Sequence, residues 1–391
     1  MTRTSEVTLL PKKVLIVYHY FAHYRLPIIK ELAKDPDINY TFISGRTTNH
    51  DIKIISNSEM IENKVIWKEI NNIWLFKKKF LWQSGLIREC LFGKYDSIIF
   101  LGTPYFLSTW FAAILVRLQG KLVYFWTHAT VRNNSRDMLK TLFFKLANGL
   151  FLYGNWAKNR LISLGFNPEK LHVIYNSLDY ETQILVREKL TSTMLLQKKK
   201  ELFKNYDLPV LIFIGRIISR KKLDELIDAC EKMHQLGMPI NLLFVGDGDD
   251  RSRLGMLSES KNLQDYIVFY GETYNETELA PLIALSDVCV SPGEVGLTAI
   301  HSLTYGTPII THDNPYEQGP EFEIITPGCT GMFFEYGKVE SLVNVITEWL
   351  RNNSSKREQV RSNCYEIVEK FYNPAYQAKV IKSVILNSQM R

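Results

Sequence analysis

Residues 290–311, VSPGEVGLTAIHSLTYGTPIIT, decide the fold class of this chain. A Ser-Pro-Gly turn ends an apolar strand, and the apolar residues between Ala299 and Leu303 then predict a short helix. Gly306 stands where a C-terminal cap belongs, and Pro308 precedes the next apolar run. The stretch therefore predicts a strand–helix–strand unit. Its turn also offers backbone N–H groups to a phosphate, although an ordinary turn without a ligand explains it equally well.

The same alternation of strands and helices extends along the chain and predicts two α/β domains with doubly wound parallel sheets. We expect a first domain over residues 1–176, a helical linker over 177–207, a second domain over 208–373 and a terminal helix over 374–391. Two such domains facing a central cleft offer a common kind of ligand site. The apolar runs that predict the strands are 14–18, 38–43, 97–101, 122–126, 150–153, 173–175, 210–214, 240–245, 267–270 and 287–290.

The composition is that of a globular protein, with 46% hydrophobic and 23% charged residues among 391. The five cysteines are scattered and none has C-x-x-C spacing, so we expect neither a zinc site nor a disulfide framework, and we infer a reducing, cytoplasmic setting. The first 13 residues lack the apolar core of a signal peptide. The longest uncharged run, 97–116, contains Gly102-Thr103-Pro104 and predicts a strand, a loop and a helix instead of a membrane span.

Charge is distributed unevenly along the chain. Residues 1–176 contain 24 Lys+Arg and 12 Asp+Glu, a net charge of +12, whereas the remainder contains 23 and 29, a net charge of −6. Only the first half is therefore expected to meet an anionic partner, either nucleic acid or an anionic membrane surface. We favour the membrane because we find no nucleic-acid motif. The expected location is cytoplasmic and peripheral, on the inner face of the cell membrane.

Residues 74–82, WLFKKKFLW, place three lysines between aromatic and apolar side chains. The pattern predicts an interfacial segment, with its aromatic rings at the lipid headgroups and its lysines on anionic lipid. The alternative is an amphipathic surface helix with a solvated lysine run. We favour the interfacial segment because the whole N-terminal half is basic.

Polar residues follow several of the predicted strands, where open α/β sheets usually bind ligands. His128 follows the strand 122–126 and is a candidate substrate contact, with a hydrogen-bonded loop histidine as the alternative. Arg216 and Lys221 follow the strand 210–214, and both could reach an anion. Here the alternative is a solvated basic turn.

Asp247-Gly248-Asp249 has the spacing of a D-x-D metal motif. Paired acidic residues around one glycine are also common in tight strand-to-helix turns. We favour the turn and expect no metal here.

Together these residues resemble the family 4 (group 1) retaining glycosyltransferases, whose GT-B fold has two Rossmann-like domains. The resemblance is dispersed but covers most of the chain. It implies that the terminal helix crosses back onto the first domain. The matching segments are Gly215-Arg216 with Lys221 for G-R-x4-K, Val245-Gly246-Asp247-Gly248 for V-G-D-G, Ser291-Pro292 with Gly296-Leu297 and Tyr305-Gly306-Thr307-Pro308 for the signature helix, and Asn176-Ser177-Leu178-Asp179 for N-G-V-D.

The chain departs from the family in its E-x7-E motif. Alignment on the flanking glycines places the first glutamate at Gly293 and the second at His301. In the family the first glutamate contacts the donor sugar and the second holds the nucleotide ribose. Glu294 is one residue late and is expected to substitute for the first glutamate. His301 is expected to hydrogen-bond a ribose hydroxyl, and a helix histidine in a weakened or inactive site is the alternative.

The resemblance implies a hexosyltransferase that moves a sugar with retention from a UDP- or GDP-linked donor, without a metal or other cofactor. The negative charge that develops on the leaving diphosphate needs cationic and N–H partners. We expect a lipid-linked glycan acceptor at the basic first domain. The expected catalytic residues are His128, Glu294, Arg216 and Lys221; the donor contacts are Arg216, Lys221, Gly246, Tyr270, Val295, Gly296, Leu297, Thr298 and His301; and the acceptor contacts are His23, Tyr24 and Arg25.

Such an enzyme would act in cell-surface polysaccharide synthesis, for example of O-antigen or capsule. Two alternatives remain open. One is a non-catalytic nucleotide-sugar or glycan binder, which the missing second glutamate allows. The other is a GT-B sugar-nucleotide epimerase or phosphorylase, which needs an acid–base pair that we do not find in the sequence.

Overall fold

The computed structural model describes residues 10–47, 53–129 and 135–388. These residues form two compact units. The first contains the residues up to 175 and those from 374 onward, and the second contains residues 176–373. Most of the N-terminal segment that we compared with a signal peptide lies outside the described residues. Within the described ranges, no helix is long and apolar enough to span a bilayer.

The first unit follows the predicted alternation of strands and helices. Its central strands are apolar runs buried on both faces, as expected for a parallel sheet covered by helices. Its elements in chain order are β1 (Lys12–Val17), α1 (Leu26–Ala33), β2 (Ile38–Ser44), α2 (Asn57–Glu62), β3 (Trp67–Glu69), β4 (Asn71–Leu75), β5 (Phe80–Ser84), α3 (Leu86–Phe92), β6 (Ser97–Leu101), α4 (Leu107–Leu118), β7 (Leu122–Thr127), α5 (Ser135–Phe144), β8 (Gly149–Leu152), α6 (Asn155–Ser163) and β9 (Leu171–Val173).

Seven of these strands form one parallel sheet in the order β3-β2-β1-β6-β7-β8-β9. Val14 of β1 pairs with Tyr40 of β2 on one side and with Ser97 of β6 on the other, so the strand order reverses at β1. Helices α3 to α6 cover one face of the sheet, and α1 covers the other. Ligands in open α/β sheets bind outside the carboxyl ends of the strands at such a reversal.

Residues 74–82 form a β-hairpin, so the helix that we considered there is wrong. Strands β4 and β5 are antiparallel, with Trp74 opposite Leu81. Residues 76–78 all have positive φ angles and make the turn. Leu81 and Gln83 are buried while the residue between them is half-exposed, a two-residue period that belongs to a strand. The lysine run therefore lies at the hairpin tip.

The second unit repeats the alternation after two leading helices. The region 177–207, where we expected a helical linker, forms two helices that belong to this unit. The elements are α7 (Tyr180–Arg187), α8 (Ser192–Leu202), β10 (Val210–Ile214), α9 (Leu223–Gln235), β11 (Asn241–Val245), α10 (Arg251–Ser260), β12 (Ile267–Gly271), α11 (Glu276–Leu285), β13 (Val288–Ser291), α12 (Thr298–Thr304), β14 (Ile309–His312), β15 (Gly331–Phe334), α13 (Val339–Asn353) and α14 (Arg357–Phe371).

The second sheet is also parallel and has the order β12-β11-β10-β13-β14-β15. Leu211 of β10 pairs with Leu242 of β11 and with Val288 of β13, so this sheet reverses at β10. Helices α7 and α8 both contact α11. Residues 290–311 span the end of β13, helix α12 and most of β14, which is the predicted strand–helix–strand unit.

The last helix, α15 (Pro374–Asn387), belongs to the first unit. Its buried Ile381 and Ile385 join the core cluster that α1 forms on the sheet. Lys382 adds ion pairs to Asp35 at 3.1 Å and to Asp37 at 2.6 Å. The first unit is therefore built from two separate stretches of the chain.

Candidate functional site

Three glycine loops meet at the carboxyl edge of the second sheet. Gly215 follows β10 and donates its N–H to Val245 at 3.0 Å, while Gly246 follows β11 and donates to Gly271 at 2.8 Å. A Cβ added to Gly246 would lie 2.0 Å from the carbonyl oxygen of Gly215. Only glycine lets these two backbones approach so closely. The loops therefore bring main-chain atoms of neighbouring strands together at this edge of the sheet.

The Asp247-Gly248 segment is the tight turn that the sequence favours. The Asp247 carboxylate accepts the N–H of Gly248 at 2.7 Å and pairs with Arg251 at 3.2 Å. A Cβ on Gly248 would lie 2.3 Å from the carbonyl oxygen of Ile217. Both carboxylate oxygens of Asp247 thus contribute to local structure.

Arg216 and Lys221 lie beside these loops, as the sequence predicts. Arg216 is exposed, whereas Lys221 is half-buried and donates from Nζ to the carbonyl oxygen of Glu294 at 2.5 Å. Burial lowers the pKa of Lys221, Glu294 opposes this effect, and the neighbouring Arg220 and Arg216 lower the pKa further. Two cations therefore lie close enough to interact electrostatically at the glycine loops.

Gly293, where the family carries its first glutamate, has no room for a side chain. Its N–H donates to Lys221 at 3.0 Å, and an added Cβ would lie 2.5 Å from the carbonyl oxygen of Arg220. The carboxylate next along the chain, Glu294, pairs with Arg220 at 3.2 Å. The glutamate therefore stands one residue later than in the family, and Gly293 packs directly against the backbone of residues 220–221.

The turn that leads into α12 is partly occupied by its own neighbours. The N–H of Val295, which we expected to contact the donor, donates to Gln318 at 3.0 Å. The hydroxyl of Thr298 donates to the carbonyl oxygen of Ile214 at 3.0 Å and so ties α12 to β10. Gly296 has a positive φ of 57°, and Leu297 is the N-cap of the helix. Because the N–H of Val295 is already used, the N–H groups that we expect to contact the donor are those of residues 296–298.

His301, where the family carries its second glutamate, is paired with a carboxylate from another helix. Its Nε2 lies 2.7 Å from Oε1 of Glu276, the first residue of α11, and the Tyr305 hydroxyl donates to the same oxygen at 2.5 Å. Burial alone would raise the pKa of Glu276, but the hydrogen bond and charge of His301, with help from Tyr305 and Gln183, lower it. Glu276 was not predicted from the sequence, because no motif links residues 25 positions apart.

A second carboxylate that the sequence analysis missed is Glu321. It is 4% exposed and accepts a hydrogen bond from Asn176 at 2.8 Å. A Cβ added to Gly319 would lie 2.8 Å from Oε2 of Glu321 and 3.4 Å from Cα of Gly296. This buried acid therefore lies beside the turn before α12. Its charge also acts on Lys221 and raises the pKa of that ammonium group.

Tyr270, a predicted donor contact, is the penultimate residue of β12. Its side chain is half-buried, and Nζ of Lys198 lies 5.7 Å from the ring centroid. It therefore sits one residue before Gly271, whose carbonyl accepts the N–H of Gly246.

In the first unit, Arg25 lies among four aromatic rings. Its guanidinium carbon is 4.8 Å from the ring centroid of Tyr18, 5.4 Å from Trp126, 5.8 Å from Tyr153 and 5.9 Å from Tyr24. One Nη also donates to the hydroxyl of Tyr153. Tyr18, Trp126 and Tyr153 come from the carboxyl ends of three strands of the sheet. We call these five residues the Arg25 cage.

The strongest electrostatic neighbours of Arg25 are three tyrosines and no carboxylate. Burial raises the pKa of Tyr18 and of Tyr153, so both hydroxyls are neutral at physiological pH. A guanidinium remains charged in this environment, and cation–π contacts only partly replace its lost hydration. Within the described part of the chain, no ion pair joins Arg25 to a carboxylate, so the Arg25 cage presents a positive charge.

His128 lies beside the Arg25 cage. Its ring centroid is 4.5 Å from that of Tyr153. The surrounding protein and, to a smaller extent, the charge of Arg25 lower the pKa of His128 to about 4. Because the side chain is exposed, hydration limits this shift, but its direction favours a neutral imidazole at pH 7.

His23 and Tyr24 precede Arg25 in one 3-10 turn, and Nδ1 of His23 lies 3.3 Å from the carbonyl oxygen of Lys53. The structure therefore brings the predicted acceptor residues and His128 together in the first unit. The predicted donor residues cluster separately in the second unit.

Most of the second unit matches a known protein family. Residues 196–367 match the family model "Glycosyl transferases group 1". Alpha-D-kanosaminyltransferase of Streptomyces kanamyceticus is 24% identical over 172 residues, 42% of this chain and 43% of that protein. The lipopolysaccharide core biosynthesis glycosyltransferase LpsE of Rhizobium meliloti is 24% identical over 172 residues, 43% of this chain and 47% of that protein. The alignments thus span less than half of either relative.

Likeness to a solved structure extends over nearly the whole chain. Anabaena HepE in complex with UDP superimposes with a TM-score of 0.73 at 15% identity, covering 96% of this chain and 100% of that one. At this identity the likeness establishes the fold alone. The fold is GT-B, as the sequence predicts.

Proposed function

We propose that this protein is a glycosyltransferase that moves a hexose, with retention, from a UDP- or GDP-sugar to a lipid-linked glycan in cell-surface polysaccharide synthesis. The observation that carries the proposal is the pair Arg216 and Lys221 beside the glycine loops, inside the segment that matches the group 1 family. The structural relative bound to UDP and the lipopolysaccharide core relative support the donor class and the pathway.

The second unit would bind the donor diphosphate. Cleavage of the sugar–phosphate bond leaves negative charge on the diphosphate, and preorganised positive groups stabilise that charge where it develops. Arg216 offers an exposed donor fork, and Lys221 is held near it by the Glu294 carbonyl. The N–H groups of residues 296–298 would add main-chain donors. No metal or other cofactor takes part in this proposal, because these groups already supply positive charge.

The nucleotide and the sugar would use the carboxylates and rings nearby. His301, oriented by Glu276 at 2.7 Å, would hydrogen-bond a ribose hydroxyl, and Tyr270 would contact the donor. Glu294 would release Arg220 and contact the donor sugar instead. Gly246 would shape the donor site indirectly, because its missing side chain lets its backbone approach that of Gly215.

The first unit would bind the acceptor and help to position the donor sugar. A neutral His128 can both donate and accept hydrogen bonds to sugar hydroxyls. His23, Tyr24 and Arg25 would contact the acceptor, with Arg25 facing an anionic group such as its diphosphate. With retention, the acceptor hydroxyl enters on the face that the phosphate leaves, and the departing phosphate oxygen takes the hydroxyl proton.

The proposal also places the protein on the inner face of the cytoplasmic membrane, where such acceptors reside. The net charge of +12 in residues 1–176 supports attraction to anionic lipid.

Donor hydrolysis tests the proposal without knowledge of the acceptor. Purified protein is incubated with UDP- and GDP-hexoses in EDTA, and the released nucleoside diphosphate and the anomer of the released sugar are measured. We expect slow release of one diphosphate with the configuration retained, reduced about 100-fold or more in Lys221→Met. No release from any donor, or equal release by Lys221→Met, would contradict the proposal.

A further inference from the structure

Helix α4 exposes a row of large apolar side chains on the side that faces away from the sheet. Its inner side, with Ala112, Ala113 and Val116, belongs to the buried core. On its outer side, Phe111 is 55% exposed and Leu118 is 79% exposed, with Ile114 between them at 43%. A helix with apolar residues all round is normally buried or in contact with another apolar phase.

Helix α5 continues this apolar surface. Its inner residues Phe143 and Phe144 are in the same core, whereas Met138 is 79% exposed and Leu142 is 57% exposed. Leu139, between those two, is 48% exposed. Six large apolar side chains on two helices thus face solvent.

Contacts between the two helices make them neighbours on the same face of the sheet. The ring of Trp110 on α4 lies 4.9 Å from that of Phe143 on α5. Arg117 at the end of α4 donates to the carbonyl oxygens of Lys145 and Leu146, which follow α5, at 3.4 and 2.9 Å. We call the outer residues Phe111, Ile114, Leu118, Met138, Leu139 and Leu142 the α4–α5 face.

The stretch of sequence that contains α4 and α5 is strongly basic. Residues 97–168 contain eight lysines and arginines and one acidic residue, Asp137. Asp137 is buried and paired with Lys140 at 3.2 Å. Lys145 is exposed beside the face. An exposed apolar patch with a basic border is complementary to an anionic lipid bilayer, whose interface offers both hydrocarbon and negative headgroups.

We propose that the α4–α5 face docks this protein onto an anionic lipid bilayer. A second copy of the chain is a poorer occupant, because a two-fold interface would bring two faces of the same positive charge together. The inference deepens the proposed function, which predicts a membrane-bound acceptor, by assigning the membrane contact to particular residues. It also differs from the sequence prediction, which assigned that contact to an interfacial segment at residues 74–82.

Vesicle co-sedimentation of the full-length protein, without donor or acceptor, tests the proposal. Vesicles of phosphatidylglycerol and phosphatidylcholine are compared with vesicles of phosphatidylcholine alone. We expect binding to the anionic vesicles, and a loss of tenfold or more in the double variant Leu118→Asp with Met138→Asp. Both side chains are 79% exposed, so the variant is expected to keep the melting temperature of the wild type.

The second unit provides a matched control. Leu236 and Met256 are the same residue types and are 63% and 65% exposed. The double variant Leu236→Asp with Met256→Asp adds the same charge and is expected to bind vesicles like the wild type. If both double variants lose binding equally, net charge alone drives it and the proposal fails.

Two further outcomes would overturn the proposal. Binding that is lost only when Lys77, Lys78 and Lys79 are all changed to serine would assign the membrane contact to the hairpin tip. A dimer in light scattering that Leu118→Asp with Met138→Asp abolishes, without vesicle binding by the wild type, would assign the face to self-association. Neither outcome affects nucleotide binding, so failure here is distinguishable from failure of the proposed function.

Discussion

The carboxyl edges of the two sheets are built in opposite ways. In the first unit, large side chains converge: Tyr18, Trp126 and Tyr153 surround Arg25, and all three rings are at most 3% exposed. In the second unit, side chains are missing: Gly246, Gly248 and Gly293 let backbone segments approach one another.

This difference indicates what each edge can recognise. Main-chain N–H groups and two nearby cations suit a phosphate, which every nucleotide donor shares. An aromatic cage around one cation is shaped by side chains, so it can distinguish among acceptors. Under the proposed function, the second edge would serve any nucleotide donor and the first edge would select the acceptor.

The largest loss of stability is expected at Gly246, where a close backbone contact leaves no space for a side chain. Gly246→Ala places a Cβ about 2 Å from the Gly215 carbonyl at a φ of +144°. We expect a loss of about 3 kcal/mol or more in the free energy of unfolding, measured by urea denaturation.

Gly255→Ala is the control for that substitution. Gly255 lies inside α10, and an added Cβ meets nothing within 4 Å. We expect this variant to be as stable as the wild type or up to about 1 kcal/mol more stable. If the two variants behave alike, the glycine loops do not depend on their close backbone approach.

The second-largest effect is expected on acceptor kinetics when the charge of Arg25 is removed. Arg25→Met keeps much of the side-chain volume but removes the charge, and we expect kcat/KM for the acceptor to fall about 100-fold, close to 3 kcal/mol. Donor hydrolysis should change little, because Arg216 and Lys221 are intact.

Tyr153→Phe checks whether a structural defect explains that loss. It removes the hydroxyl that accepts from Arg25 but keeps the ring and the charge. We expect a loss of tenfold or less. An Arg25→Met enzyme with normal acceptor kinetics would show that the Arg25 cage only stabilises the fold.

The smallest effect concerns the departure from E-x7-E. His301→Glu restores the residue of the family but sets two carboxylates near the 2.7 Å position now shared by His301 and Glu276. We expect a loss of about 1 to 3 kcal/mol in unfolding free energy at pH 7, with His301→Gln less affected. The repulsion raises the pKa of one carboxyl in the folded state, so the deficit grows as pH rises through that pKa and shrinks in acid.

The exchange variant, Glu276→His with His301→Glu, sharpens this result. It restores one acid and one imidazole at the same place, and thermal melts at pH 4 to 8 should show most of the lost stability recovered. A fully stable His301→Glu protein would mean that Glu276 does not constrain position 301.

Sequence patterns predicted the alternation of strands and helices because local apolar periodicity determines it. The glycine loops of the second sheet were also predictable, since Gly215, Gly246 and Gly296 follow strands at motif spacing. The Arg25 cage was predicted only in part: Arg25 was named as an acceptor contact, but two of its aromatic neighbours, Trp126 and Tyr153, lie more than 100 residues away from it along the chain.

Other features could not be predicted, because they depend on packing between distant segments. The partnership of Glu276 with His301 and the buried position of Glu321 both require tertiary structure. Residues 74–82 form a hairpin and not the surface helix that was the alternative there, since alternating aromatic residues around three lysines fit either structure. The apolar residues of α4 were expected to form a helix, but their sequence does not show which side faces solvent.

The central claim is that the second edge binds a nucleoside diphosphate through Arg216, independently of the Arg25 cage. The most direct test is the thermal shift produced by UDP, GDP, ADP and CMP, with and without magnesium, on the wild type, Arg216→Ala and Arg25→Met. Saturation at about 100 times Kd adds about 2.7 kcal/mol to stability, which is several degrees in melting temperature. We predict a magnesium-independent shift with one nucleoside diphosphate that Arg216→Ala loses and Arg25→Met keeps. No shift with any nucleotide, or an equal shift in Arg216→Ala, would contradict the claim.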